Sequence, residues 1–126
     1  MTTGFFTPEN EAALTLEAVG PEGSRSFEAI IDTGFTGGLT LPPDWIEELG
    51  LPQTGVEDMV LADGRASDTP LYNGYVVLGE EAYEVVVAEA PTIPLLGTDL
   101  LWGFSLYVEF QPNGAVELER LSASGS

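Results

Sequence analysis

Short apolar runs alternate with turn-forming clusters every ~8–12 residues along this chain, the rhythm of a β-sandwich or barrel. Residues 13–19 predict a first strand, closed by Gly20-Pro21-Glu22-Gly23, and residues 27–32 a second, ending in Ile30-Ile31-Asp32. Leu39–Leu41 predicts a short third. Residues 56–62 run into Asp63-Gly64, a dipeptide suited to the positive φ of a tight hairpin. Residues 72–78 and 83–88 flank Gly79-Glu80-Glu81. Residues 106–110 and 115–121 flank Pro112-Asn113-Gly114, which reads as a hairpin turn of type I′.

Two segments carry helical signals instead. In residues 42–50, prolines and Asp44 stand at the start, Gly50 just past the end and Pro52 beyond it, with Trp45, Ile46 and Leu49 as the apolar face. Residues 98–102 predict one further turn, with Thr98 as N-cap and Gly103 as the stop. The expected architecture is mainly β with one or two short helices, in a single domain over residues 1–121. The Ser/Gly-rich residues 122–126 read as a disordered tail.

Composition narrows the chemistry. The 126 residues suit one domain with its own core. Cysteine is absent, which excludes disulfides and thiolate catalysis; histidine is absent, which excludes Ser-His-Asp catalysis and histidine-ligated zinc. Arg25, Arg65 and Arg120 are the only cations, so lysine Schiff bases and a lysine-dependent phosphate loop are excluded too. The formal net charge of −18 argues against partners such as nucleic acid or an anionic membrane. Acidic residues are scattered and form no Asp-x-Asp-x-Asp-Gly loop, which suits a solvated surface better than a calcium site. There is no basic, apolar leader and no run near the ~20 apolar residues of a membrane span, so the chain reads as soluble and cytoplasmic. Chemistry, if there is any, falls to carboxylates, hydroxyls, backbone amides or a cofactor.

One segment stands out. In Ala29-Ile30-Ile31-Asp32-Thr33-Gly34 an apolar strand runs directly into an aspartate, a small hydroxyl residue and a glycine. An acid at the end of a buried strand is costly unless it is hydrogen-bonded, and the glycine allows the sharp turn that brings backbone N–H groups to it. Two readings fit: an Asx-turn that closes a strand, or a functional carboxylate. A second segment, Ile93-Pro94-Leu95-Leu96-Gly97-Thr98-Asp99-Leu100-Leu101, is an apolar run, a glycine and a capped helical turn.

Taken together, these segments resemble the retropepsin-like aspartic proteases, which pair Asp-Thr-Gly at a strand end with a later apolar-apolar-Gly segment leading into a short helix. Asp32-Thr33-Gly34-Phe35, followed by Leu49-Gly50-Leu51 and Val60-Leu61-Ala62-Asp63-Gly64, is similar to the small bacterial and archaeal branch, over roughly residues 12–121. The resemblance implies a closed acid-protease β-barrel. It implies Asp32 as the catalytic carboxylate, Thr33 as a brace whose hydroxyl bonds across a subunit boundary, and Gly34 as backbone offered to substrate. Phe35 and Thr36 would border the peptide. The hairpin with Leu61, Ala62, Asp63 and Gly64 would be the flap, and Leu95, Leu96 and Gly97 would pack beneath the loop, with Leu96 counted on the substrate side.

The sequence departs from the retroviral pattern at Phe35, where alanine or serine is usual. It departs again at Thr36 and Thr98, where those enzymes carry an aspartate and an arginine that pair. Both charges are missing together, so no buried ion is stranded. Asp-Thr-Gly occurs once, and the resemblance then implies a C2 homodimer in which two Asp32 carboxylates share one site. The implied activity is aspartic endopeptidase action on a peptide or protein substrate, with no metal and no organic cofactor. A non-catalytic peptide- or partner-binding module on the same barrel is the alternative; an interaction β-protein in which Asp32 merely caps a strand is a third reading.

Overall fold

The computed structural model describes residues 1–60 and 64–122. Eleven strands and two helices follow in the order β1 (Thr2–Thr3), β2 (Phe5–Phe6), β3 (Ala12–Gly20), β4 (Gly23–Ile31), β5 (Leu39–Leu41), α1 (Pro43–Leu49), β6 (Gln53–Val60), β7 (Ala66–Leu78), β8 (Glu81–Glu89), β9 (Leu95–Leu96), α2 (Thr98–Leu101), β10 (Phe104–Val108) and β11 (Val116–Arg120). Eight strands form one sheet in the order β2-β3-β4-β9-β5-β8-β7-β6, and β3 also pairs with β7. A smaller sheet has the order β1-β11-β10.

Alternation in the long strands creates the core. Leu14, Leu16 and Ala18 of β3 are buried, as are Phe27 and Ala29 of β4, Val76 and Leu78 of β7, and Val85 and Val87 of β8. Each such large aliphatic or aromatic side chain contributes roughly 1.5–3 kcal/mol by leaving water. Leu39 and Leu41 of β5 and Leu96 of β9 are fully buried, and Thr40 between the two leucines is buried as well, so β5 is covered on both faces. The two parallel pairings, β4 with β9 and β5 with β8, lie beside them.

Helix α1 forms as its sequence predicts. Pro43 opens it, Gly50 closes it in the left-handed conformation (φ 67°), and Ile46 and Leu49 face the core. Trp45 stays half-buried, tilted against Phe27 at 5.7 Å, with the Arg25 guanidinium 4.1 Å above its ring. Arg25 also reaches Glu48 at 2.8 Å, a solvent-exposed pair that adds about 0–1 kcal/mol.

Several sequence expectations change. The N-terminal strands β1 and β2 are too short to carry a period, and Gly4 lets the chain cross between the two sheets, its N–H donating to the Val116 carbonyl at 2.7 Å. Strand β7 begins six residues before the predicted 72, because Ala66–Leu71 pairs with β6 in a hairpin largely open to water, where apolar alternation is not required. Strand β10 spans Phe104–Val108 instead of 106–110, so that Phe104 pairs with Arg120 and stacks edge-on against Tyr83. The turn after it is not type I′. Asn113 alone takes positive φ (60°), one residue after Pro112, and the Gly114 N–H donates to the Gln111 carbonyl at 2.9 Å. Proline then positive φ is the type II signature. Of the expected tail, residues 123–126 lie outside the described residues, as do Leu61, Ala62 and Asp63 of the predicted flap tip.

Candidate active site

Asp32 is the first residue beyond β4, and β9 lies parallel to that strand with Ile30 opposite Leu95 and Ile31 opposite Leu96. The Asp32 N–H donates to the Leu96 carbonyl at 2.9 Å, which fixes where the chain leaves the sheet. The chain then turns on the carboxylate. The Gly34 N–H donates to Asp32 Oδ1 at 2.9 Å, and the Phe35 N–H donates to the Asp32 carbonyl at 3.1 Å. This is an Asx-turn at a strand end, so the structural reading of the motif is realised. It leaves Asp32 half-buried with its second oxygen available, and Thr33 and Gly34 exposed.

A second loop holds the first. The Thr98 N–H donates to the Phe35 carbonyl at 2.9 Å and the Thr98 hydroxyl to the same oxygen at 3.4 Å. Gly97 N–H bonds the Gly38 carbonyl (2.9 Å) and Asp99 N–H the Gly37 carbonyl (3.1 Å). Four donors of the 97–99 turn thus tie down the loop after Asp32, with no ion pair between Thr36 and Thr98. Thr98 is therefore not the N-cap that its residue type suggests. Gly97 takes that position, because the Thr98 hydroxyl is drawn to Phe35. Below, buried Thr40 accepts the Leu95 N–H at 2.8 Å.

The Phe35 ring sits close against two glycines. A Cβ on Gly37 would come within 2.6 Å of its ring, and one on Gly97 within 2.6 Å of its Cδ2. The bulky residue of the Asp-Thr-Gly-Phe motif thus folds back over its own loop.

Beside this loop lies a groove of about 410 Å³. Residues 34–39 form one side; Leu71, Val86 and Ala88 supply apolar wall; Glu57 of β6 and Asp99 of α2 supply two carboxylates. Gly34, Phe35 and Thr36 are among its lining residues, whereas Asp32 is not and joins it through its hydrogen bond from Gly34. Leu96 is fully buried beneath the loop and presents no surface to the groove. Gly64 is exposed with φ 88°, and its neighbours Leu61, Ala62 and Asp63 lie outside the described residues. Glu57 and Asp99 carried no sequence signal: one is an acid within a strand, the other an acid in a first helical turn, and only the fold sets them on one groove.

Among the described residues, no three acidic side chains converge as a metal site requires. No helix among them is long and apolar enough to cross a membrane.

No protein-family model matches the sequence, and no curated protein sequence matches it. Among solved structures, the chain is similar to a retropepsin-like aspartic protease from Rickettsia conorii, with a TM-score of 0.58 at 17% identity over 95% of this chain and 90% of that one. At that identity the likeness establishes a retropepsin-like fold.

Proposed function

We propose that this protein is an aspartic endopeptidase that works as a C2 homodimer, each subunit supplying one Asp32. The observation that carries the reading is the placement of Asp32. It ends an apolar strand, Gly34 holds one of its carboxylate oxygens, and an accessible groove adjoins it on a retropepsin-like fold. The sheet supports the closed-barrel form of that fold, since its pairings run from β3 through β4, β9, β5, β8 and β7 and back to β3. The smaller sheet packs into the same core through Leu118, which supports one domain over residues 1–121.

One carboxylate does not make the dyad that this chemistry uses, so a second copy has to bring Asp32 to the axis. Two ionised carboxylates about 3 Å apart at an effective dielectric of about 20 would repel by roughly 5 kcal/mol. Sharing one proton relieves that repulsion, and the pair titrates in two separated steps. The ionised member takes a proton from water as the water attacks the scissile carbonyl. The protonated member hydrogen-bonds the developing oxyanion, and proton transfer to nitrogen releases the amine. The exposure of Thr33 in a single subunit supports the reading that its hydroxyl bonds across the axis. A charge of −18 per chain opposes association at low salt, so dimer and activity rise together as salt screens it or mild acid removes it.

The test is digestion of a diverse peptide library, read by mass spectrometry across salt and from mildly acidic to neutral pH, beside sedimentation of the same samples. Wild-type cleavage that tracks the dimer fraction, and its loss in Asp32→Asn, is the expected outcome. A dimeric wild type that cleaves nothing would turn the reading to a peptide-binding module. A dimer fraction independent of salt and pH would remove the electrostatic account of assembly.

A further inference from the structure

The groove beside the Asp32 loop has a definite electrostatic character. Its two carboxylates come from separate elements, Glu57 from β6 and Asp99 from the first turn of α2, and both side chains are exposed. Neither side chain has a hydrogen bond or ion pair among the described residues, and none of the chain's three arginines lines the groove. Arg25 is committed to Trp45 and Glu48, and Arg120 lies over Tyr83 and reaches toward Glu81. Leu71, Val86 and Ala88 give the same groove an apolar wall. A groove lined by apolar side chains and two exposed carboxylates suits a long aliphatic stem that ends in a cation.

We propose that this groove is a specificity subsite for arginine or lysine, in which Glu57 and Asp99 hold the cationic end of a substrate side chain while Leu71, Val86 and Ala88 pack its stem. The substrate class is therefore peptides carrying a basic residue near the scissile bond. The proposal rests on the reading of Asp32 as the catalytic carboxylate, because that places the groove along the bound peptide. The net charge of −18 acts in the same direction by drawing cationic peptides toward the protein, but a general field does not select a position along the peptide. Two carboxylates at one subsite do.

The experiment separates binding from cleavage. Fluorescein-labelled octapeptides with a single arginine, moved through each position, are compared with the same peptides carrying uncharged, isosteric citrulline. Affinity is measured on Asp32→Asn, which holds peptide without turnover, and cleavage on the wild-type protein. At one or two positions arginine is expected to bind about tenfold more tightly than citrulline at low salt, and the ratio to shrink as salt rises. In Glu57→Gln/Asp99→Asn that ratio falls toward one. In Glu47→Gln/Glu80→Gln, which removes the same charge from exposed sites outside the groove, the ratio persists. Should the double groove variant fold poorly by circular dichroism, Glu57→Lys supplies the reciprocal test by turning the preference toward glutamate-containing peptides. No arginine preference at any position, or a preference lost equally in both double variants, overturns the subsite. Arginine-selective binding without wild-type cleavage keeps the subsite and removes the peptidase reading. Asp32-dependent cleavage without arginine preference does the reverse.

Discussion

The ring of Phe35 occupies the space that a side chain at Gly97 would need, with Cδ2 2.6 Å from the position of the missing Cβ. The loop that bears Asp32 and the turn that opens α2 are thereby fitted to each other by a phenylalanine and the glycines it covers. Gly37 is fitted to the same ring, but differently. The three atoms nearest its added Cβ all belong to the Phe35 ring, whereas a Cβ on Gly97 would also collide with the Gly37 and Phe35 carbonyl oxygens.

That difference predicts a double-mutant cycle. Gly37→Ala and Gly97→Ala each destabilise by about 1–3 kcal/mol or more through overpacking. Phe35→Ala removes the close ring contacts that oppose the first substitution but leaves the carbonyl oxygens that oppose the second. In urea denaturation, Gly37→Ala should therefore cost much less in the Phe35→Ala background, while Gly97→Ala keeps most of its cost. Equal coupling at both glycines would contradict the geometry.

Thr40 is a buried hydroxyl with a defined task, accepting the Leu95 N–H at 2.8 Å beneath the Asp32 loop. Thr40→Val keeps the shape and leaves that donor unpaired, at a cost of about 1–3 kcal/mol, whereas Thr40→Ser retains the acceptor. Thermal melting of the two variants should separate them clearly. A valine variant as stable as the serine one would show that the bond carries little.

Tyr72 donates its phenol to Glu89 at 3.3 Å, and partial burial, then the neighbouring carboxylate, raise its pKa above the usual 10.0. Because the folded value exceeds the unfolded one, the folded state binds this proton more tightly. The resulting stability is fully present below about pH 10 and declines as pH rises through the raised value. Tyr107 shifts in the same direction, chiefly through its hydrogen bond to Glu109, so part of the slope survives without Tyr72. Denaturation of wild type and Tyr72→Phe from pH 8 to pH 12 should show a shallower alkaline loss in the variant. An unchanged slope would remove Tyr72 from the account.

Much of this protein is written locally. The β alternation, the proline-to-glycine frame of α1 and the abrupt strand-to-Asp32-Thr33-Gly34 transition each depend on residues a few positions apart. Period and turn chemistry read such features directly. The long strands β3, β4 and β8 lie within a few residues of their predicted bounds for that reason. Where the signal was a single dipeptide, as at Asn113-Gly114, proline's fixed φ one residue earlier decided the turn type instead. What the tertiary structure alone decided is long-range. It set β9 parallel to β4, which positions Asp32 through Leu96, and set Phe35 against Gly97, some sixty residues later in the chain. It also brought Glu57 and Asp99 to one groove. An acid in a strand and an acid in a helical turn look like any other solvated charge until the sheet order places them on the same cleft, because proximity across 42 residues is a property of topology and leaves no period in the sequence.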